Sequence, residues 1–355
     1  MILFSVAKSR SLLDVQIPPW RRLFSQSVPR NSSDPLRILF CGSDEFSCAS
    51  LKALHEEHRH NKKLVESLDV MVLPPRRMGR GFKTLREGTK FEIEYSPAQN
   101  LHRMGSVSFG LFVPPRILTS AKYGGLNVHP SLLPDLRGPA PIHHAILKGY
   151  DYTGISLQTL DHRIFDHGTI LSQTSRPGIS IPPGCTVQEL TSLLAPIGAQ
   201  MLIQGLRDGV YVPPRQNTGW RAEELSDEQL VHAPKVTKAD GHIKWTKWTG
   251  DDIVRRVRVL GSVWTHAVNK KGDKKRLIFQ DAETISSKDI GNHGAKVRLL
   301  EDTGVVLETL VWDQGDGSCA IRTLDDSVIR VKKIKEEGKS QRDAMAGLRG
   351  YLADD

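Results

Sequence analysis

A strand that ends in two polar side chains is the strongest indication of chemistry in this chain. Within the segment 125–138, Asn127 and His129 alternate with apolar residues, so a period of two places the amide and the imidazole on one face of a strand. Pro130 then ends the ladder. In open α/β sheets, ligands gather beyond the carboxyl ends of the strands. The pair is therefore typical of an active-site edge.

A carboxylate later in the chain, Asp166, falls in the turn between two predicted strands and can complete a set of three. A neutral imidazole takes a proton from an attacking amine near physiological pH. A nearby carboxylate orients that ring, and the amide of Asn127 can donate to a developing oxyanion. No serine or cysteine nucleophile is needed if the amine belongs to the substrate. These residue types predict acyl transfer to an amine through a tetrahedral intermediate.

The same three residues also permit a purely structural interpretation. In it, Asn127 closes a turn, His129 is a hydrogen-bonded core histidine and Asp166 caps backbone amides. The residues alone leave both interpretations open.

The elements that position this edge alternate between strand and helix. One helix starts at Ser43 or Asp44, either of which is a suitable N-cap. This alternation predicts an α/β fold with a largely parallel, doubly wound sheet. Strands are predicted at 36–41, 69–73, 107–113, 153–160 and 169–174, and further helices at 142–148 and 186–207.

The pattern changes after residue 210. The segment 211–233, which contains Pro213, Pro214 and Gly219, is predicted to be a linker. Beyond it, short strands with Gly/Asp turns predict a small β-barrel of the OB kind. The predicted strands are 242–245, 263–268, 277–280, 296–300, 305–310, 320–324 and 328–331, with helices at 251–260 and 341–352. The domains are thus 34–210 and 234–355.

Composition is that of a soluble globular protein, with 39% hydrophobic and 25% charged residues in 355. No apolar run is long enough for a transmembrane helix. Four cysteines without a CxxC pair argue against a disulfide framework and a zinc knuckle, and indicate a reducing compartment.

Much of the net charge of +9 lies at the amino terminus. Residues 1–33 carry five basic residues against one acid and are rich in serine and apolar residues. This composition predicts a mitochondrial transit peptide. A disordered basic tail is the alternative.

A second basic segment, 74–86, holds five basic residues, two glycines and no acid. A flexible loop of this kind can grip phosphates, because arginine pairs with phosphate oxygens bidentately. Basic clusters at 255–258, 270–271, 274–276 and 332–333 indicate nucleic-acid binding by the barrel. In both places a solvated surface is the alternative.

The segment Leu126-Asn-Val-His-Pro-Ser-Leu-Leu-Pro134 is followed by Arg137-Gly-Pro-Ala-Pro-Ile142 and later by Asp166-x-Gly168. This set closely resembles the signature of the folate-dependent formyltransferases. Gly42-Ser-Asp-Glu-Phe46 and Gly79-Arg-Gly81 occur in the order that the members acting on initiator methionyl-tRNA have. The resemblance covers residues 36 to 350.

The resemblance implies a Rossmann-like formyltransferase domain that binds 10-formyltetrahydrofolate and a C-terminal OB-like domain that binds initiator methionyl-tRNA. It implies a catalytic trio, in which Asn127 supports the oxyanion, His129 transfers the proton and Asp166 orients the histidine. Arg80 and Lys83 match the loop that reaches the tRNA acceptor end. Residues implied to line the folate pocket are Phe109, Gly110, Leu111, Phe112, Val113, Ser131, Leu132, Leu133, Pro134 and Asp161.

Further expectations follow from the same resemblance. No metal or nicotinamide cofactor is implied, and we expect the protein to serve translation initiation in the mitochondrial matrix. A monomer is the default expectation and does not come from the resemblance. The segment between Lys83 and Ser106 is shorter than the family pattern. The turn from Asp161 to Asp166 is one residue longer than usual, and His167 stands where the family often has threonine or serine.

Two alternatives remain. One is a formyltransferase or hydrolase that uses 10-formyltetrahydrofolate on a small substrate, which would need neither the basic loop nor the second domain. The other is a catalytically inactive RNA-binding homologue, against which the intact trio argues.

Overall fold

The computed structural model of the chain describes residues 33–42, 44–71, 103–106, 115–290, 293–301 and 304–353. Its first part is an α/β unit on a six-stranded sheet, and its second part is an antiparallel barrel. The predicted transit peptide apart from residue 33, the basic loop at 74–86 and the predicted strand at 107–113 lie outside the described residues.

The described strands of the first part are β1 (Leu36–Cys41), β2 (Val65–Met71), β3 (Arg103–Ser106), β4 (Gly125–His129), β5 (Tyr152–Thr153), β6 (Ser156–Thr159), β7 (Ile170–Gln173) and β8 (Ile179–Ser180). Six of them form one sheet in the order β2-β1-β3-β4-β6-β7. The first four in this order are parallel, and β6 and β7 continue the sheet antiparallel. The predicted parallel sheet is therefore confirmed for four strands, and the chain reverses direction after β4.

Among the described residues, four helices accompany this sheet: α1 (Glu45–His60), α2 (Pro115–Ser120), α3 (Pro141–Leu147) and α4 (Val187–Asp208). Asp44 is the N-cap of α1, and its carboxylate accepts from Ser47 N at 2.8 Å. Thr186 caps α4 in a capping box with Glu189. Both caps satisfy backbone N–H groups that a helix start leaves unpaired.

Gly198 brings α4 close to the strand that carries the candidate site. A Cβ at this position would lie 3.0 Å from Phe46 Cζ and 3.0 Å from Val128 Cγ1. Both of those side chains are buried, so they have little room to move. The missing side chain therefore allows α4 to pack directly on α1 and β4.

The second part is a barrel in which β10 pairs with both β9 and β14 and so closes the sheet. Six strands, β9 to β14, form the closed barrel, which confirms the predicted small barrel. Helix α5 (Gly250–Leu260) precedes it and α6 (Ala344–Leu348) follows it. The strands are β9 (Val263–Val268), β10 (Lys274–Ile285), β11 (Ala295–Leu300), β12 (Val306–Asp313), β13 (Cys319–Arg322), β14 (Val328–Glu336) and β15 (Arg342–Asp343).

Two elements predicted for this part are wrong. Residues 242–245 are not a strand, because the chain leaves a 3₁₀ helix (Lys238–Gly241) and turns while Ile243 and Trp245 fill the barrel core. The predicted helix at 341–352 is confined to α6, because Arg342–Asp343 pairs with β14 instead. In both cases tertiary packing overrides the local pattern.

The predicted linker packs against the first part along its length. Tyr211 is fully buried, and its hydroxyl lies 2.7 Å from Ser33 Oγ. Trp220 Nε1 donates to Thr174 O at 2.7 Å. Near its end, His232 forms a parallel bridge with Arg137, just beyond the candidate catalytic strand. The domain boundaries at 210 and 234 stay predictions.

Three arginines of α5 make contacts within the protein. Arg255 pairs with Asp252, and the Arg256 guanidinium lies 3.8 Å from the ring centroid of Trp248. Arg258 Nε donates to Cys185 O at 3.1 Å, just before α4. The first two contacts lie within the second part of the chain, and the third joins α5 to the α/β unit.

We predict that Gly198→Val lowers the free energy of unfolding by about 1–3 kcal/mol, because a side chain there overpacks the space between α4 and β4. Chemical denaturation monitored by circular dichroism measures the change. Gly350→Val is the matched control, since a Cβ at Gly350 meets nothing within 4 Å. Equal stability of the two variants would contradict this account of the packing.

Candidate active site

Strand β4 presents Asn127 and His129 on the face predicted from the alternation. Leu126 and Val128 are each 1% exposed and belong to the core of the α/β unit. The two polar side chains line a cavity of about 840 Å³. Because successive side chains of a strand point to opposite faces, burying the apolar pair orients the polar pair.

Asp166 joins these two residues from the turn between β6 and β7. Its Oδ1 accepts from Asn127 Nδ2 at 3.3 Å, and its Oδ2 accepts from Gly138 N at 3.0 Å. Its own backbone is left-handed, with φ of 57°, and its carbonyl accepts from Arg137 Nε at 3.0 Å. Aspartate tolerates this conformation better than most residues. The turn thus aims the carboxylate back at β4.

His129 has both ring nitrogens engaged. Nε2 lies 3.0 Å from Leu136 O, and a carbonyl only accepts, so this nitrogen carries the proton in the hydrogen bond. Nδ1 lies 3.5 Å from Asp166 Oδ1. In the neutral ring Nδ1 is then the nitrogen with the lone pair, and Asp166 stands beside it. The imidazole can accept a proton at Nδ1, and the carboxylate can stabilise the resulting charge.

Gln158 is a site residue that the sequence did not reveal. It is 1% exposed on β6, directly opposite Asn127, and its Nε2 donates to Asp166 Oδ1 at 2.9 Å. Gln158 lies in the predicted strand 153–160, but polar Ser156 and Thr159 lie close to it in that strand, so the alternation does not single it out. Its contact with Asp166 depends on strand pairing and could not be seen in the alternation alone.

The cavity opens among the N-terminal ends of α1, α3 and α4 and the turn 161–166. Asp161 lines it, and hydrogen bonds from the backbone N–H groups of Arg163 and Ile164 hold the pKa of this carboxyl below its usual range. His143 also lines it, and burial, with a smaller effect of His144, lowers its pKa. Apolar side chains complete the lining: Phe46, Leu118, Ile142, Leu160, Ile164 and Phe165.

Four residues predicted to contact folate lie behind the cavity instead of lining it. Ser131, Leu132 and Leu133 are buried, and Pro134 is partly buried. Ser131 Oγ donates to Asp135 O at 2.7 Å, and Leu133 N donates to Ser156 Oγ at 3.0 Å. These contacts shape the loop after β4. The other predicted pocket residues, 109–113, and the predicted tRNA contacts Arg80 and Lys83 lie outside the described residues.

The described part of the chain contains neither a candidate metal site nor a candidate membrane-spanning helix. It contains no group of three or more His, Cys, Asp or Glu side chains that could hold a metal ion. None of its helices is long and apolar enough to cross a membrane.

Comparison with known proteins identifies the class. Residues 36–206 match the family described as formyl transferase, and residues 235–352 match the formyl transferase C-terminal domain. The chain belongs to the formyl transferase family, which confirms the resemblance found in the sequence. A solved structure, HypX from Aquifex aeolicus in complex with tetrahydrofolic acid, shares the fold, with a TM-score of 0.50 at 14% identity over 88% of this chain and 47% of that one.

Two relatives show which members of this family the chain resembles. The chain is 35% identical to the mitochondrial methionyl-tRNA formyltransferase of Bos taurus over 69% of this chain and 65% of that protein. It is 34% identical to the methionyl-tRNA formyltransferase of Caldanaerobacter subterraneus over 89% of this chain and 96% of that protein. The chain spans 58 to 65% of the length of the bovine and human relatives it matches.

We predict that Gln158→Leu lowers the rate of the reaction at this site without loss of the fold. A hydrogen bond to a charged group contributes about 1.5–3 kcal/mol, so the expected fall is roughly 10- to 100-fold. Steady-state kinetics and a thermal melt measure both effects. Gln200→Leu, on the exposed face of α4, is the control and should change neither. An unchanged rate in Gln158→Leu would show that the contribution of Asp166 to the reaction does not depend on the hydrogen bond from this amide.

Proposed function

We propose that the chain transfers a formyl group from 10-formyltetrahydrofolate to the amino group of initiator methionyl-tRNA. One observation carries the proposal: Asn127, His129 and Asp166 converge at the wall of one cavity, with Asp166 Oδ1 3.3 Å from the amide and 3.5 Å from the ring nitrogen. Family membership and the relatives named above support the choice of reaction.

The cavity fits a folate by size and lining. Its volume of about 840 Å³ lies in the range of small-molecule sites. Apolar side chains such as Phe46, Leu118 and Ile142 can cover flat rings, and Asn127 and Asp161 add polar groups for orientation. When bound, the folate supplies the formyl carbon, whose bond to the folate nitrogen breaks as the new amide bond to the amine forms.

Each residue of the trio then has a task that its contacts support. His129 Nδ1 takes the proton that the attacking amine releases and returns it to the departing folate nitrogen. Asp166 Oδ1 stands beside Nδ1 and stabilises the imidazolium. Asn127 Nδ2 uses one hydrogen on Asp166 and has a second hydrogen for the oxygen of the tetrahedral intermediate.

The acceptor is proposed to be tRNA because the chain carries more than a small substrate requires. Its second part is a complete barrel that matches the family's C-terminal domain. The segment 74–86 holds five basic residues, and we assign contacts with the tRNA acceptor end to Arg80 and Lys83. Phe109 to Val113 are proposed as folate contacts on the family pattern. Ser131 to Pro134 are not, because they lie behind the cavity.

The proposed place of action is the mitochondrial matrix. The basic, serine-rich segment 1–33 has the composition of a transit peptide, and several relatives are mitochondrial proteins. We propose that the protein acts there as a monomer, because one chain contains all three members of the trio.

The proposal is tested with 10-formyltetrahydrofolate and methionylated initiator tRNA in vitro. His129→Ala should lower turnover by roughly 10²–10⁴-fold, the contribution of a general base, while tRNA affinity in a gel-shift assay stays within about twofold. His55→Ala, an exposed histidine of α1, is the matched control and should keep full turnover. No formylation by the folded wild-type protein would refute the proposed reaction.

A second experiment tests the acceptor. Arg80→Ala should raise the KM for the tRNA several-fold and leave folate affinity unchanged, because a phosphate contact contributes to nucleic-acid binding and its strength falls with salt. The exposed Arg59 of α1 provides the control, Arg59→Ala. If folate affinity falls as much as tRNA use, the basic loop belongs to the folate site.

A further inference from the structure

The carbonyl that fixes the ring of His129 belongs to a residue in an unusual conformation. Leu136 has φ of 58°, and its carbonyl oxygen lies 3.0 Å from His129 Nε2. A left-handed backbone is unfavourable for a residue with a Cβ, because the Cβ comes too close to the following carbonyl oxygen. Leucine has no polar side chain to stabilise this conformation locally, so neighbouring groups must hold it.

Asp135 supplies the first of these groups. It is 4% exposed, and its Oδ1 accepts from Leu136 N and from Val231 N, each at 3.0 Å. Leu136 N also donates to Val231 O at 2.7 Å. One carboxylate oxygen therefore ties the turn after β4 to a residue 96 positions away, in the segment that leads to the barrel.

The side chain of Leu136 is held by the same segment. It is 2% exposed in a small cluster with Ala145 of α3 and Ala233, against which Tyr150 and Val231 pack. Ala233 N donates to Arg137 O at 2.7 Å, and its carbonyl accepts from Ala140 N at 3.1 Å. Residues 231–233 thus run beside the loop 136–140 and hold it by backbone hydrogen bonds.

The other side of the Asp135 carboxylate is also occupied. Arg221 Nη2 lies 3.9 Å from Oδ2. The hydroxyl of Tyr150 donates to Asp135, and burial, followed by the nearby carboxylate, raises the pKa of Tyr150 to about 12. The phenol therefore stays protonated as a donor at physiological pH. Because donors from three segments surround this buried carboxylate, its position is fixed.

We infer that Asp135 is a positioning residue for His129, through which the segment 231–233 sets the tautomer of the ring. Val231 N–H fixes the carboxylate, the carboxylate fixes the left-handed turn at Leu136, and that turn aims a carbonyl at Nε2. The inference rests on the proposed role of His129 as the base. It also gives the segment between the α/β unit and the barrel a part in catalysis.

The tautomer of His129 affects proton transfer, and Asp166 by itself would favour the tautomer with hydrogen on Nδ1. Its Oδ1 lies 3.5 Å from Nδ1 and would accept a proton carried there. A neutral ring with hydrogen on Nδ1 has no lone pair on that nitrogen and cannot take a proton from the amine at that position. The hydrogen bond from Nε2 to Leu136 O keeps the proton on the far nitrogen and leaves Nδ1 basic.

The test compares the full-length wild-type protein with Asp135→Ala and Asp135→Asn. The ¹⁵N chemical shifts of the histidine rings report the tautomer, and the resonance of His129 among the 13 histidines is identified by its loss in His129→Ala. In the wild type we expect hydrogen on Nε2. In Asp135→Ala we expect a shift toward hydrogen on Nδ1 and a fall in kcat of roughly 10- to 100-fold, part of what a general base contributes.

The controls separate positioning from ordinary stabilisation. KM for both substrates should stay within about twofold in Asp135→Ala, since the turn lies behind the cavity. Asp135→Asn keeps an acceptor oxygen for both N–H groups and should recover the wild-type tautomer and most of kcat. The exposed Asp151, changed to Asn, should alter nothing.

Two results would overturn the inference: Asp135→Ala with the wild-type tautomer and kcat, or a lower melting temperature with the tautomer unchanged. If Asp135→Ala does not fold, Val231→Pro removes the linking N–H while keeping Asp135 itself, and the same change in tautomer and kcat is expected. Full turnover in His129→Ala would refute the proposed role of the histidine instead, while the ring shifts would still report on the contact between Asp135 and Leu136.

Discussion

A carboxylate with little exposure to water needs N–H donors around it, and Asp166 obtains them from three parts of the chain. Asn127 comes from β4, Gln158 from β6, and Gly138 from the loop after β4. These partners fix the spacing of the two strands and the loop around one point. His129 lies beside the same carboxylate, so the geometry of the proposed base depends on this set of hydrogen bonds.

The segment before the barrel contributes to the site more than a flexible connection would. Gly138, with φ of 122°, lies so close to Ala233 that a Cβ would come within 2.5 Å of its carbonyl oxygen. This close approach lets residues 231–233 pair with the loop that supplies both the Leu136 carbonyl and the Gly138 amide. Helix α5 adds a second connection through Arg258 and Cys185, next to the start of α4. The barrel and the site are thus linked by specific contacts.

Basic residues in the barrel have several different uses. Lys332 and Lys333 form surface ion pairs with Asp281 and Asp343, and Arg276 pairs with Glu337 while lying 5.5 Å from the ring centroid of Trp264. Such pairs reduce the positive potential that a count of lysines and arginines suggests. Lys271, Lys274 and Lys275 are exposed around the turn between β9 and β10. The proposed surface for nucleic acid therefore depends on the arrangement of these charges and not on their number.

The sequence by itself determined the features that depend on near neighbours. The alternation at 126–129 predicted the face of Asn127 and His129, and two suitable caps, Ser43 and Asp44, predicted where α1 begins, because strand period and helix caps are local. The structure shows that Asp44 is the cap. Only the tertiary structure decided that Gln158 and Gly138 hold Asp166, and that Asp135 contacts Val231 across 96 positions. It also decided that 242–245 fills the barrel core instead of forming a strand. Each of these depends on which distant segments the packing of the sheet and barrel brings together, and no local pattern encodes that pairing.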